Sequence, residues 1–406
     1  MSQRNTLWSS SSRSAELVAA VHRSTVIVLL AALGAACGTI DPRPGAPAAS
    51  SSAGSEELPA LAPTLATQPV GDDPDDPAIW INAADPARSL VIGTNKMAAP
   101  SGAIVVFALD GTVRQTIPGV HRPNNVDVEY GFAVGGRSVD IAVATERLQH
   151  RLRVFAIDGR AGRIADLSSV PVLVGESGDR SEPMGIALYK RARDGTIFAI
   201  VAPKLGAAID YLWQYRLEAD AVGGVTGRLV RRFGHFSGKG AEPGEAGEIE
   251  AVVVDDELGF VYYADERYGI HKWHADPDHP DARRELAVFG REGYARDREG
   301  LAIYAESGGR GFIVSTDQVP GGSILRLYPR EGRPGAPHDH GAPIASIRTS
   351  SDDTDGIEVV ATPLPGFPAG LLVMMNSAPK NFLFYDWAPV RAVLGTRRYI
   401  EFTRRP

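Results

Sequence analysis

Residues 76–80 read Asp76-Pro77-Ala78-Ile79-Trp80, an acidic residue followed by an apolar, β-rich run. Openings of this kind recur five more times, at intervals of roughly 50 to 70 residues. The other openings are Asp127 to Tyr130, Glu182 to Tyr189, Glu250 to Val254, Glu299 to Tyr304 and Asp355 to Val360. Recurrence at this period indicates a chain built from six similar structural units.

Two further short β-rich segments, separated by turn residues, follow each opening. After Asp76 they are Ser89–Lys96 and Ala103–Leu109, and no long amphipathic helix is evident from Gly71 onward. Six units of short antiparallel strands predict an all-β fold, a six-bladed β-propeller, rather than a sandwich. Since the first strand of each blade lines the axial channel, the six acidic openings are expected to converge near the axis.

Six converging carboxylates would repel one another strongly if nothing positive lay between them. Carboxylate and carbonyl oxygens are the ligands that Ca²⁺ prefers, which favours calcium near the axis. The residues alone leave an alternative open, because acidic residues at strand ends also cap backbone N–H groups. The nine histidines are scattered, which argues against zinc, and His338-Asp339-His340 is expected to be a solvated loop.

The N-terminus indicates export. The apolar run Val26–Ala36 is too short to span a bilayer but fits a signal peptide that ends at Cys37, the one cysteine of the sequence. We expect residues 1–37 to be a signal peptide, of lipoprotein type if Cys37 carries a lipid, with ordinary cleavage or a retained anchor as alternatives. Residues 38–69 are predicted to be a disordered linker rich in Pro, Ala and Ser, and residues 70–406 to be the propeller.

The net charge and the expected export limit the kinds of partner that the protein can have. The formal net charge of the 406-residue chain is −7, which argues against nucleic acid as a partner. We expect an exported monomer, either anchored to a membrane through a lipid on Cys37 or free in the periplasm or outside the cell.

Seven motifs resemble those of the calcium-dependent β-propeller phytases, in the order in which that family carries them, over about residues 70 to 388. The motifs are Asp75 to Trp80, Asn95-Lys96, Asn124 to Val128, Glu250 to Glu257, Ala264-Asp265-Glu266, Arg296 to Tyr304 and Ser351 to Ile357. The resemblance implies a six-bladed propeller with several calcium ions that hydrolyses phosphomonoesters of inositol phosphates.

The resemblance also implies roles for individual residues. The expected calcium ligands are Asp75, Asp76, Asp127, Asp256 and Asp355. The expected catalytic residues, lining the calcium and phosphate site, are Glu250, Glu266, Asp297 and Glu299. The expected substrate-binding residues are Lys96, Lys204, Arg147 and Gln318, with Asp317 as the alternative to Gln318 if the match slips by one residue.

Three positions depart from the family's phosphate site. The family has Arg where this chain has Glu129, Tyr at Met184 and Glu at Leu205. On this interpretation Glu129 would repel phosphate unless it recruits another calcium or pairs with a nearby arginine. Arg122 or Arg147 would partly replace the missing guanidinium.

Three functions therefore remain open at the level of sequence. The first is a phosphomonoesterase of the phytase type. The second is a non-catalytic, calcium-dependent binding propeller at the cell surface, which the three departures favour. The third is another propeller enzyme, such as a calcium-dependent lactonase.

Overall fold

The computed structural model describes residues 58–242 and 245–403, with side chains up to residue 395. Two short strands come first, β1 (Ala60–Leu61) and β2 (Leu65–Ala66). The first three blades contain β3 (Pro74–Trp80), β4 (Leu90–Asn95), β5 (Ala103–Phe107), β6 (Val113–Pro118), β7 (Pro123–Val134), β8 (Arg137–Glu146), β9 (Arg151–Asp158), β10 (Arg163–Pro171), β11 (Pro183–Lys190), β12 (Ile197–Pro203), β13 (Ile209–Ala219) and β14 (Val225–His235).

The last three blades contain β15 (Val252–Asp255), β16 (Phe260–Asp265), β17 (Gly269–His274), β18 (Ala287–Phe289), β19 (Leu301–Ala305), β20 (Gly311–Val319), β21 (Gly322–Pro329), β22 (Ala345–Thr349), β23 (Ile357–Val360), β24 (Leu371–Asn376) and β25 (Asn381–Asp386). Short 3₁₀ helices span Pro86–Arg88, Arg147–Gln149 and Gly178–Ser181, and the helix α1 spans Ala388–Thr403.

The described strands form six sheets in a ring, antiparallel except for the pairing of β1 with β22, which confirms the predicted six-bladed propeller. The first strand of each blade is innermost and contacts the first strands of both neighbouring blades, β3 touching β7 and β23 in turn. The ring is therefore closed around an axis lined by β3, β7, β11, β15, β19 and β23.

The hydrophobic core lies between blades. Six clusters of buried side chains are found among the described residues, and each joins two adjacent blades. Central strands such as β4 and β12 are buried on both faces, which explains their continuous apolar sequences. The outermost strand β6 alternates between half-buried and exposed residues because one of its faces is open to solvent.

Part of the predicted linker belongs to the propeller. β1 pairs with β22 in parallel, and β2 pairs with β25 and supplies the fourth strand of the last blade. The amides of Thr64 and Thr67 donate to the carbonyls of Phe384 and Phe382 at 2.7 and 2.9 Å. The boundary predicted at residue 69 is wrong because the open edge of β25 needs hydrogen-bond partners. The rest of that linker, the signal peptide and Cys37 lie outside the described residues.

The expectation of no long helix is wrong at the C-terminus, where α1 packs on the junction of the last two blades. Val390 and Leu394, four residues apart, are buried against Tyr304 and Trp387. The i, i+4 spacing of these two apolar residues is the pattern in the sequence that indicates the helix. Within the described residues, no helix has the length and apolar character needed to cross a membrane.

Candidate functional site

The acidic openings lie at the axial ends of the innermost strands, as predicted, but they divide into two groups. The upper cluster consists of Asp75, Lys96, Glu248, Glu250, Glu266, Asp297, Glu299 and Asp355. The channel cluster lies along the axial cavity and consists of Asp76, Asp127, Glu129, Asp256 and Glu358. The five aspartates expected to bind calcium are therefore split, since Asp75 and Asp355 belong to the first group and the other three to the second.

Lys96 is the fixed cation of the upper cluster. It follows β4, and its Nζ contacts the fully buried carboxylate of Asp75 and lies 3.2 Å from Oδ2 of Asp355. Burial disfavours the ammonium form, but the carboxylates of Asp75, Glu250 and Asp355 outweigh it and raise the pKa of Lys96 above its usual range. Lys96 therefore stays charged at neutral pH.

Glu266, Asp297 and Glu299 form one set of closely spaced carboxylates, with one oxygen of each within 4.8 Å of the others. Burial, reinforced by neighbouring carboxylates, raises the pKa values of Glu266 and Glu299 well above the usual range. Asp297 receives a hydrogen bond of 2.8 Å from Nη2 of Arg267, yet burial still raises its pKa. This set carries more negative charge than its protein partners balance, so it favours a bound cation or protons.

A second set shares Glu266 with the first. Oxygens of Glu248, Glu250 and Glu266 also lie within 4.8 Å of one another. The side-chain amide of Asn124 donates to Oε1 of Glu250, and burial raises the pKa of Glu248. The two sets together offer at least two adjacent places for hard divalent cations.

Arg147 neutralises one acidic opening. Its Nη2 and Nε donate to Oε2 of Glu182 at 2.7 and 3.1 Å, and its Nη1 donates to Oδ1 of Asn124 at 3.1 Å. Glu182 is therefore paired with an arginine rather than left for a metal. Through Asn124, the buried guanidinium also fixes the position of Glu250.

Lys204 lies at the rim of the upper cluster. Its Nζ is 3.5 Å from Oδ2 of Asp179, and its side chain is about one third exposed. Its positive charge reaches Glu248, where it opposes the rise in pKa. Lys204 is thus free to move toward an incoming anion, in contrast to the enclosed Lys96.

Gln318 and Asp317, the alternatives for one expected substrate-binding position, point in different directions from β20. Nε2 of Gln318 donates to the carbonyl oxygen of Thr354 and to Oδ1 of Asp355 at 3.2 and 3.4 Å, so it faces the upper cluster. Asp317 is completely buried and accepts hydrogen bonds from the amides of Ala295 and Arg296 and from Arg326. Adjacent residues of β20 point to opposite faces, and Gln318 is the one at the site.

The channel cluster surrounds a cavity of about 180 Å³. Oδ2 of Asp76 accepts the amide of Val126 at 2.9 Å, and Oδ2 of Asp127 accepts the amide of Leu188 at 2.7 Å. A Cβ built at Gly356 would lie 2.2 Å from Oδ1 of Asp76, so only glycine allows this approach.

The pKa values of the channel carboxylates are raised mainly by burial. They are about 7 for Asp127 and Glu129, and about 8 for Asp256 and Glu358. Glu129 and Asp256 share a hydrogen bond, and Asp127 and Glu358 repel each other. At neutral pH these groups either share protons or face a cation that replaces them.

Glu129 lies in the channel cluster and not beside Lys96 and Lys204. It is 4% exposed and faces Asp256 across the channel, while Lys96 and Lys204, which are expected to bind phosphate, belong to the upper cluster or its rim. The other two departures lie closer to the site. Met184 is buried and its carbonyl accepts from Thr145, and the amide of Leu205 donates to the carbonyl of Asp179 beside Lys204.

Four contributors were missed in the sequence. They are Glu248, Arg267, Glu129 as a channel residue, and Glu358. Glu358 carried a usable signal, since it is the one charged residue of the otherwise apolar strand β23. Glu248 stands two residues before Glu250, the spacing that places side chains on one face of an extended chain. Arg267 carried no such signal because its partner Asp297 is thirty residues away.

The donors of both clusters suit one class of metal. All are carboxylate oxygens, several of them buried with little hydrogen bonding from the protein, and Asp75 accepts no hydrogen bond other than its contact with Lys96 within the described part of the chain. Hard divalent cations prefer such oxygen ligands. The residues present therefore fit an oxygen-ligated cation in each cluster.

Comparisons with known proteins agree with this site. The family model described as Phytase matches residues 23–381. The 3-phytase of Bacillus subtilis (strain 168) is 30% identical over 343 residues, which cover 81% of this chain and 84% of that protein. A solved structure of a protein from Lactobacillus plantarum covers 76% of this chain and 80% of its own at 14% identity, with a TM-score of 0.45, too low to carry an argument. With the match of the family model and the extent of the 3-phytase similarity, this chain belongs to the Phytase family.

Proposed function

We propose that this protein is a calcium-dependent phosphomonoesterase that releases phosphate from myo-inositol hexakisphosphate or a related small phosphoester. The observation that carries the proposal is the upper cluster, in which Lys96 is held between Asp75 and Asp355 beside two sets of unbalanced carboxylates. A fixed ammonium group next to places for divalent cations is an arrangement that binds a polyanionic phosphate and stabilises its transition state.

Calcium is the cation that the donor set favours, because it takes six to eight oxygen ligands and tolerates irregular geometry. The calcium ligands in the upper cluster would be Glu250, Glu266, Asp297 and Glu299. Those in the channel cluster would be Asp76, Asp127 and Asp256. Bound calcium would supply positive charge opposite the phosphoryl oxygens.

The residues of the chain itself bind and orient the substrate. Lys96 presents a compact charge that is already fixed in place, so little conformational entropy is lost when phosphate binds. Lys204, at the rim, can close on a second phosphate group. Arg147 acts through Asn124 as a positioning residue that holds Glu250 in place.

The departures at Met184 and Leu205 bear on specificity in this proposal. Both lie near the rim that Lys204 and Arg147 define, and a change there alters which phosphoester fits.

We also propose that the protein is exported and acts as a monomer. Support for export comes from the apolar segment Val26–Ala36 followed by Cys37. Both lie outside the described residues.

The test is phosphate release from myo-inositol hexakisphosphate by residues 58–406, with and without millimolar Ca²⁺. We expect release to require calcium and to fall ten- to a hundredfold or more in Lys96→Ala and Glu266→Gln, because loss of a charge-assisted contact costs about 1.5–3 kcal/mol. Glu218→Gln, at an exposed outer ion pair, serves as the control. No release from a protein that calcium still stabilises against heat would refute the hydrolase and favour the binding propeller.

A further inference from the structure

A buried histidine lies between two carboxylates next to the upper cluster. His271 stands on β17 and is 2% exposed. Its Nδ1 lies 2.6 Å from Oε1 of Glu285, and its Nε2 lies 3.9 Å from Oδ2 of Asp265. Asp265 ends β16 and immediately precedes Glu266 in the chain. The row formed by Glu285, His271 and Asp265 therefore leads to a carboxylate of the upper cluster.

The pairing of β16 with β17 explains why these side chains meet. Tyr263 lies opposite His271 in this antiparallel pair, and Asp265 is two residues further along, so the three side chains share one face of the sheet. The rings of Tyr263 and His271 stack with their centroids 4.6 Å apart and their planes at 4°. The hydroxyl of Tyr263 is itself held by the backbone amide and carbonyl of His235, at 2.7 and 2.9 Å. The plane of the imidazole is therefore fixed.

Both ring nitrogens of His271 face an acid. Glu285 and Asp265 are its ion-pair partners among the described residues, and Nε2 is buried there without a hydrogen bond. A neutral imidazole has one N–H group, so its other nitrogen would point a lone pair at a carboxylate. A ring with both protons offers an N–H group to each side. The geometry therefore favours a cationic His271.

Glu285 is suited to hold this ring. Burial acts to raise the pKa of its carboxyl group, but hydrogen bonds from His271 and His235 outweigh burial and lower that pKa. Its Oε2 lies 3.2 Å from Nδ1 of His235, and this second contact orients the carboxylate. Glu285 therefore presents a negative charge to His271 at neutral pH.

Asp265 connects the row to the segment that carries two further carboxylates of the upper cluster. Its Oδ2 accepts the amide of Ser237 at 2.6 Å, and its Oδ1 accepts the hydroxyl of Ser237 at 2.9 Å. Ser237 lies near the start of the segment between β14 and β15, which also contains Glu248 and Glu250. Near its other end, the carbonyl of Glu248 accepts the amide of Glu266 at 3.4 Å. A shift of Asp265 would therefore move all three glutamates.

We propose that Glu285 and a cationic His271 are positioning residues of the upper cluster, which act by bracing Asp265. Asp265 in turn keeps Glu266, and the segment with Glu248 and Glu250, in the arrangement that binds calcium. This inference rests on the proposed calcium-dependent function. A histidine that only filled the space between two blades would affect stability and leave the calcium affinity unchanged.

The test measures calcium binding directly, by calorimetric titration of the metal-free full chain at a temperature at which every variant is folded. His271→Phe keeps a ring that can stack on Tyr263 and removes both nitrogens. The upper cluster is identified as the binding step that Glu266→Gln removes. We expect the calcium affinity of that step to fall about ten- to a hundredfold in His271→Phe, the usual effect of losing a group that orients metal ligands. Phosphate release should lose kcat with little change in KM, because Lys96 and Lys204 keep their places.

Glu285→Gln tests the outer member of the row. This change keeps the shape of the side chain and removes its charge, so we expect a smaller fall in calcium affinity. Added to His271→Phe, it should cause no further fall, because Glu285 acts through the histidine. His274→Gln, which alters another histidine of β17, is the matched control and should leave the calcium affinity unchanged.

Nitrogen NMR of the chain labelled with ¹⁵N-histidine gives a signature that a space-filling role would not produce. At pH 7 we expect two protonated nitrogens in the ring of His271, whose signals are assigned by their loss in His271→Phe. A neutral ring, or unchanged calcium affinity in His271→Phe, would overturn this inference and leave the proposed hydrolase intact. A fall in calcium affinity supports it even if the protein releases no phosphate, whereas a protein that binds no calcium would refute both proposals.

Discussion

Lys96 sets the electrostatics of the upper cluster. It lies among Asp75, Glu250 and Asp355, and a buried lysine without such partners would lose its proton. Because the pair with Asp75 is enclosed, removal of Lys96 would leave a buried carboxylate without its counter-charge. Its loss is therefore expected to lower both the stability of the fold and the affinity for phosphate. Calcium in excess should restore the stability but not the affinity for phosphate.

A neighbouring pair of residues on β20 provides a sharper test. Gln318→Ala removes only contacts to Thr354 and Asp355, so we expect lower phosphate release with little change in stability. Asp317→Asn removes the ion pair between the buried carboxylate of Asp317 and the guanidinium of Arg326. This change should lower the unfolding free energy by about 3–5 kcal/mol. Thermal unfolding and phosphate release measured on both variants separate the two roles. The opposite pattern would show that Asp317 is the site residue.

Arg147 is expected to act on substrate affinity and on the position of Glu250. Arg147→Ala leaves Glu182 and Asn124 without their partner and should reduce kcat/KM about ten- to a hundredfold. Arg147→Lys should recover little of this loss, because an ammonium cannot make the same forked contacts. Steady-state kinetics would check this role. Arg137→Ala, which alters an exposed residue at the other end of β8, is the control. Full activity in Arg147→Ala would contradict this role.

At the scale of the elements, β1 and β2 determine how the ring closes. The last blade has only three strands from the C-terminal part of the chain, and β2 covers the edge of β25. This blade combines β2, from the N-terminal part of the described chain, with β23, β24 and β25, from the C-terminal part. The pairing of β2 with β25 therefore closes the ring, and the ring opens only if these two strands separate.

Deletion of these strands should weaken the fold. A chain that begins at Gly71 lacks the bonds from Thr64 and Thr67 to β25 and that of Val70 to Lys380. We expect its unfolding midpoint to fall by several degrees and aggregation to increase, compared with a chain that begins at residue 58. Differential scanning calorimetry of both proteins in Ca²⁺ makes the comparison. Equal midpoints would mean that β1 and β2 contribute nothing to closure.

At the scale of the whole molecule, the closed ring brings carboxylates from different blades into one channel. The first, second, fourth and sixth blades each contribute at least one carboxylate to the channel cluster, and on an open surface these groups would be solvated. The ring places them within reach of one another, and burial then raises their pKa values.

The metal-free protein should therefore lose stability as pH rises. Asp127, Glu129, Asp256 and Glu358 have folded-state pKa values of about 7 to 8, against about 4 in the unfolded chain. The folded state binds more protons between pH 4 and 8, so the free energy of unfolding falls through that window. With Ca²⁺ the trend should reverse, because a cation replaces the protons.

Thermal unfolding from pH 5 to 8.5, in chelator and in millimolar Ca²⁺, measures both trends. Glu129→Gln and Glu358→Gln should flatten the slope in chelator, whereas Glu218→Gln should not. A metal-free midpoint that rises with pH would contradict the assignment of these carboxylates as the destabilising groups.

The fold and most of the site were accessible from the sequence. The six acidic openings recur at intervals of roughly 50 to 70 residues, and a repeat of short strands buries its faces by stacking blades in a ring. The motifs around Glu250 and Glu299 stand just before the innermost strands β15 and β19, and those around Lys96 and Glu266 directly follow the second strands β4 and β16. The ring brings these strand ends together. This is why the upper cluster could be predicted from local patterns.

The rest depended on contacts between residues far apart in the chain. The position of Glu129 in the channel, the pairing of Arg267 with Asp297 and the closure of the last blade by β2 have no local signature in the sequence. The same is true of His274 and His338, which meet on Phe260 only because the segment after β21 folds back on the fourth blade. The sequence by itself determined the blades and the ends at which their acidic residues stand, because these follow from strand period. Only the tertiary structure decided which acidic residues share a site, because the packing of neighbouring blades fixes those distances.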